Sequence, residues 1–445
     1  AVGGRSDVAR DGRSLVARGG DALVQGVSGV VNADERAGAK SFAEARAAFA
    51  DAAAQLQTST TLVQRLVSRL DPADRFSTAE KLLEVGTRIA SLGEEALVVA
   101  ALFRAEGGTL TETLEAAAPK LGAIRSELQD ITKNLARTSL AGLSPADVER
   151  FHSFRERLES LHRGLGAYLD SHAVLLELLR SSKDRQYLFL FQNNRELRPT
   201  GGFIGSFALV DVSRGEVRRV QVDTMYNPDG QLKDFLVPPI PLKKITDRWY
   251  ARDANWFADF RQSARKVAHL FERSGGPTVD GVLAVTPRVL EGMLRLTGPI
   301  AMPDYGVTVT ADTVVDETQR LVTFDYDRVA NEPKAFIADL LPRVLTELLS
   351  LPRDRWGELV LVLTEELKRK SILVYFRDAD AQQRVVQLGW GGALPSLPPP
   401  TSSVLTDHLG RVEANVGGHK TDTLIEQALD YDVTAGSDET LTATV

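Results

Sequence analysis

The chain has 445 residues, a formal charge of −7, 25% charged and 43% apolar residues, and no cysteine. That length suits two or more domains with their own cores, and the composition is that of a folded chain rather than a disordered one. The missing thiol excludes disulfides, cysteine nucleophiles, iron–sulfur clusters and cysteine-held zinc. Lys and Arg are interspersed with Asp and Glu, so the basic footprint of a nucleic-acid binder is absent. The longest purely apolar run, Ala96–Phe103, is far shorter than the ~20 residues of a membrane helix. The chain starts at Ala1 and ends on the strand-like Leu441-Thr-Ala-Thr-Val445. A fragment or processed form is therefore expected, with any signal or membrane anchor lying upstream.

Residues 1–182 read as a helical bundle. Phe42, Ala45, Phe49, Ala52, Leu56, Ser59, Val63, Leu66 and Leu70 follow spacings of three and four. Leu82–Phe103, Leu110–Leu135 and Phe151–Leu179 carry the same pattern, which sets one apolar face on each of four helices. Ser41 with Glu44 and Ser77 with Glu80 have capping-box spacing, and Ser144-Pro145 reads as an N-cap followed by a first-turn proline. Gly12, Gly19, Gly20, Gly26 and Gly29 leave a helix in the first thirty residues undecided. An up-down bundle serving as spacer, stalk or scaffold is the simplest reading. His172 falls on the apolar seam and reads as a hydrogen-bonded core histidine rather than a ligand.

From Gln186 the pattern becomes mixed α/β. Gln186–Phe191 reads as a buried strand; Phe203–Val212 and Glu216–Thr224 read as a hairpin turning at Ser213-Arg214-Gly215. Asp229–Arg252 is a long loop containing Pro238-Pro239-Ile240-Pro241, and loops of that length are often functional. Helices are predicted at Phe260–Arg273, Pro287–Leu296, Ala311–Arg320, Pro333–Leu351, Arg353–Lys370 and Ala379–Leu388. Strands are predicted at Val279–Val285, Val307–Thr310 and Ser371–Tyr375, and strand-like segments at Ser403–Leu405, Val412–Ala414 and the Thr-rich end. Alternating strands and helices imply a layered α/β domain over 183–395. Residues 396–445 either continue it or begin a truncated β element.

Chemistry-bearing residues concentrate in two loops. Gln192–Phe203 holds Arg195, Arg198, Gly201 and Gly202: arginines fork onto phosphate or carboxylate oxygens, and paired glycines let backbone approach a ligand. Arg252–Phe260 holds Arg252, Asp253, Asn255 and Asp259, the last placed to cap the following helix. Asp223 and Asp229 bracket a strand end, and such carboxylates suit magnesium with a substrate phosphate. No Walker loop, dinucleotide fingerprint, nucleophile elbow or His-Glu-x-x-His motif is present.

Gln192-Asn193-Asn194-x-Glu196-Leu197-Arg198-Pro199-Thr200-Gly201-Gly202-Phe203-Ile204-Gly205-Ser206 resembles the signature of the bacterial envelope family called domain of unknown function 4012. Arg252–Phe260, Val279–Val282, Thr297–Ile300, Leu388-Gly389-Trp390 and Asn415–Asp422 fit the same family in order. Its order of elements is similar to the LytR-CpsA-Psr phosphotransferases, which attach polyprenyl-pyrophosphate-linked glycopolymers to cell walls with Mg and arginines. The resemblance implies a LytR-CpsA-Psr-like α/β/α domain in the extracytoplasmic envelope. It implies Arg198, Arg252 and Asp253 as catalytic residues, and Arg195, Arg198, Gly201, Gly202, Arg252, Asn255 and Arg328 as ligand contacts. Asp223, Asp253 and Asp259 would hold Mg. Those enzymes carry a paired-arginine motif where this chain has Phe324-Asp325-Tyr326-Asp327-Arg328, with Arg328 alone as a counterpart. The expected function is binding of an envelope glycan, a polyprenyl-phosphate carrier or an envelope protein, the alternative being an Mg-dependent glycopolymer phosphotransferase. A polyprenyl carrier would need a deep apolar groove beside Arg198 and Arg252.

Overall fold

The structure is a computed structural model. It describes residues 3–31, 34–63, 73–105, 107, 109–138, 140, 145–179, 184–323, 325, 335–352, 355–394, 409–417, 420, 422–435 and 441–444. The chain divides into two compact units, Ala1–Leu176 and Glu177–Val445.

The first unit contains α1 (Gly3–Val31), α2 (Glu35–Val63), α3 (Ala73–Arg104), α4 (Leu110–Ala136) and most of α5 (Pro145–Leu179). Among the described residues five helices are present where four were expected, because the glycines of α1 are contact points rather than breaks. Phe42 of α2 lies between Gly26 and Gly93, where an added Cβ would come within 2.6 and 2.3 Å of its ring. One heptad along, Phe49 lies between Gly19 and Gly86, with corresponding distances of 2.9 and 3.0 Å. Only glycine admits a phenyl ring this close to the backbone. The starts of α2 and α3 also differ from expectation. Ser41 and Ser77 lie inside their helices, and Asp34 Oδ1 accepts from Ala37 N at 3.0 Å at the head of α2. A reciprocal capping box does form, at Thr109 and Glu112. Ser144 lies outside the described residues. Along α5, Phe151, Leu158 and His172 are buried, whereas Phe154 and Leu161, placed on the same seam by spacing, are exposed. His172 Nε2 donates to Leu114 O at 2.8 Å, as a core histidine should. Burial holds its pKa below the ordinary value.

The second unit is mixed α/β. Its strands and helices run β1 (Arg185–Asn193), β2 (Phe203–Ser213), β3 (Glu216–Thr224), α6 (Tyr226–Gln231), α7 (Phe260–Arg273), β4 (Gly281–Val285), α8 (Pro287–Thr297), β5 (Ile300–Met302), β6 (Val307–Val309), α9 (Val314–Thr323), α10 (Ala335–Leu349), α11 (Trp356–Lys368), β7 (Ile372–Phe376), α12 (Ala379–Gln387), β8 (Asp432–Ala435) and β9 (Leu441–Thr444). The main sheet has the order β3-β2-β1-β4-β7, with β1 parallel to β4 and the other pairs antiparallel. Arg214 and Gly215, at φ 52° and 80°, form the two-residue turn that matches strand twist in the β2–β3 hairpin.

Alternation along β1 builds two layers. Leu188 and Leu190 point into a core with Phe260, Ala264, Val267 and Phe271 of α7. Phe189 and Phe191 point the other way, towards α8, α9 and α10. Those helices share a second core with the small β5–β6 hairpin, including Leu294, Met302, Val309, Leu321, Phe336 and Leu340. Val412–Ala414 is not a strand: the chain there continues into a backbone bond from Asn415 N to Leu197 O at 2.9 Å. Ser403–Leu405 lies outside the described residues. The Thr-rich end does form a strand, β9, paired with β8. No helix among the described residues is long and apolar enough to cross a membrane.

Candidate functional site

The two loops singled out by their polar residues meet each other. Asn255 is buried, donates from Nδ2 to Gly202 O at 2.9 Å, and accepts from the Thr200 hydroxyl. The glycines serve this internal closeness. Gly201 has φ +134°, and a Cβ there would sit 2.3 Å from Gln192 Oε1; a Cβ on Gly202 would sit 2.3 Å from Asn193 O. The expected approach of backbone to a ligand is thus an approach of the loop to its own strand.

Arg198 is correspondingly internal. Its side chain is 1% exposed. It donates to Asn415 O at 2.6 Å, Leu197 O at 3.0 Å and Glu196 Oε1 at 3.1 Å, and Asp253 Oδ1 stands 3.6 Å away. Arg252 pairs with Asp229 at 3.0 Å and Asp253 at 3.6 Å, with Tyr226 and Tyr250 rings 4.8 and 4.1 Å from its guanidinium. Two arginines and three carboxylates therefore form one buried network. Burial pushes the pKa values of Glu196, Asp229 and Asp253 up, against the pull of the arginines. Arg198 and Asp253, expected to meet substrate, instead neutralise each other.

The expected Mg set does not fit. Asp253 is held by the two arginines. Asp259 caps α7, accepting from Arg261 N at 2.9 Å. Asp223 accepts from Thr224 N and Asn227 Nδ2, both at 2.7 Å, within its own turn. Among the described residues no group of three His, Asp or Glu side chains is arranged to hold a metal ion. Arg328 lies outside the described residues.

A deep groove is present, but beside different cations. A cavity of about 300 Å³ lies between the β1–β3 face and helices α8–α10, walled by side chains such as Phe189, Val210, Leu290, Met293, Leu340 and Val344. Neither Arg198, Arg252 nor Asp253 lines it. Gln192, Asn193, Arg195 and Lys420 line it where β1 terminates, and Thr318 of α9 also lines it. A register shift between Phe191 and Gln192 breaks the alternation of β1, so consecutive side chains line the cavity. Gln192 is buried, and its Nε2 has no hydrogen-bond partner among the described residues; nor does Thr318 Oγ1. Arg195 pairs with the exposed Asp316 of α9. Burial and Arg195 lower the pKa of Lys420, while Glu196 raises it.

Lys420 reaches this end because its segment is pinned to the Arg195–Arg198 loop. Leu197 N donates to Asp422 Oδ2 at 2.7 Å, and Asp422 N donates to Arg195 O at 3.3 Å. Sequence reasoning gave no role to Lys420 or Thr318. The motif around Lys420 was visible, but its position against a loop more than 200 residues away was not.

The matched family covers the Arg195–Arg198 loop and the Arg252–Phe260 loop. Residues 182–322 match the family described as Protein of unknown function (DUF4012). The DUF4012 segment runs from just before β1 through most of α9, so it contains Gln192, Arg195, Arg198, Arg252 and Thr318. Leu388–Trp390, Asn415–Asp422 and Lys420 lie beyond it. No curated protein matches the chain.

Proposed function

We propose that this is an extracytoplasmic envelope protein whose α/β unit binds a polyprenyl-phosphate-linked ligand without acting on it. The cavity carries the reading. Its walls are apolar, its size is that of a ligand pocket, one end offers a guanidinium and an ammonium, and two buried polar atoms of its lining, Gln192 Nε2 and Thr318 Oγ1, have no hydrogen-bond partner among the described residues. An amphiphile with an apolar tail and a phosphate head matches that division, since arginine binds phosphate as a fork and lysine as a point charge. The envelope setting rests on the motif resemblance. The transferase alternative needs Asp223, Asp253 and Asp259 as a metal set, and each is engaged elsewhere.

The test is native mass spectrometry and thermal shift with farnesyl phosphate or a longer polyprenyl phosphate, with farnesol as the headless control. Arg195→Ala and Lys420→Ala should each weaken phosphate binding about tenfold or more, from lost charge-assisted bonds. Asp316→Asn should strengthen it, because the phosphate no longer competes with a carboxylate for Arg195. Equal binding of farnesol and its phosphate, or no response to either cation, would overturn the reading.

A further inference from the structure

The long loop between α6 and α7 presents apolar side chains to solvent from a fixed base. Leu232 and Leu242 are buried, and Trp249 N donates to Leu236 O at 2.7 Å. Between these anchors Phe235, Val237, Ile240 and Ile245 are 60, 59, 81 and 47% exposed. Single exposed apolar residues are ordinary, but four within eleven positions of an anchored loop form a surface that water does not favour.

Two features identify what covers it. Exposed Lys233, Lys243 and Lys244 flank the apolar residues, and Arg248 lies over the Phe235 ring at 5.3 Å. Of the two acids within residues 233–248, Asp234 is paired with Arg273 at 2.6 Å, which leaves Asp247 against those cations. The half-buried Pro239 and the exposed Pro241 carry no N–H, and Leu242 N and Lys243 N donate back to Pro239 O. A tip with few backbone donors enters an apolar interface at little desolvation cost, while offering little to a partner strand. Apolar tip and basic flanks are the pattern of interfacial membrane binding.

We propose that residues 233–248 dock the protein on an anionic lipid surface, with Ile240 and Val237 entering the headgroup boundary and Lys243 and Lys244 meeting lipid phosphates. This surface is distinct from the cavity and does not depend on what the cavity holds.

The test is co-sedimentation of the full chain with vesicles of phosphatidylcholine alone or mixed with phosphatidylglycerol. Binding should require the anionic lipid and weaken as salt rises. Ile240→Asp should weaken it about tenfold or more, and Lys243→Glu with Lys244→Glu by a similar factor. Leu361→Asp, at a residue of α11 that is 57% exposed, should leave it unchanged. Ile240→Trp should show blue-shifted emission and quenching by brominated lipid. Absence of anionic-vesicle binding overturns the proposal, as does equal loss in Leu361→Asp. So does a result in which Ile240→Asp changes only self-association, since a second copy would then be the occupant.

Discussion

Arg195 and Arg198 stand three positions apart in one loop and have opposite fates. Arg195 borders the cavity with an exposed counter-ion, whereas Arg198 is enclosed with Glu196, Asp253 and the Asn415 carbonyl. Removing one member of a buried ion network leaves the others uncompensated. Arg198→Ala is therefore expected to lower the stability of the α/β unit by about 3–5 kcal/mol, read by urea denaturation. Arg195→Ala should cost far less there. The network also carries a pH signature. A carboxyl whose folded pKa is raised holds more protons folded than unfolded. Its contribution is complete below the ordinary value of about 4 and is lost as pH rises through the folded value. Asp253→Asn, which mimics the protonated form, should gain stability relative to the unaltered chain as pH climbs from 4 to 8. A gap that closes instead means that arginine pairing outweighs burial. The two loops that the sequence singles out do meet, through Thr200, Gly202 and Asn255 and through Arg198 and Asp253, whereas Asp223, Asp259 and Arg195 have other partners. Sequence reading could not show which faced solvent, because the same residue types build a ligand clamp and an internal lock.

Elements were the most legible scale. β1, the β2–β3 hairpin, α7, α8 and β7 fall within a residue or two of their periodicity-based bounds, since turn residues, a capping Asp259 and Pro287 mark where they begin and end. α1 was not legible, because helix propensity counts each glycine as a penalty. The heptad spacing of Gly19 and Gly26 matches that of Phe42 and Phe49, and of Gly86 and Gly93, but its meaning emerges only when three helices stand together. Gly93→Ala should destabilise the helical unit by about 1–3 kcal/mol, as overpacking against the Phe42 ring. Gly122→Ala, where nothing lies within 4 Å, should stabilise it by about 0.5–1 kcal/mol. Thermal unfolding followed by circular dichroism separates the two signs. The bulge in β1 was equally hidden, because the residue pattern continues across it.

At the scale of the molecule, sequence gave two regions of different texture, and the structure divides into two units near that change. It did not show that the segment 409–424 belongs to the same site as the loop after β1. Leu197, Arg198 and Arg195 bond to Asn415 and Asp422, and Lys420 joins the cavity lining. Contacts of such separation leave no local trace in periodicity. Ending the chain after residue 394 should strip Lys420 and leave Arg198 short of a partner. The expected result is weaker phosphate binding and a lower urea midpoint of the α/β unit together. An unchanged midpoint would show that the segment is dispensable to the fold. The same arrangement imposes an order in time. A chain growing from its N-terminus can pair all five strands of the main sheet once residue 376 has emerged. Lys420, the second cation of the cavity, must wait for residues 415–422. During synthesis the apolar walls and Arg195 are therefore in place before Lys420 can join them.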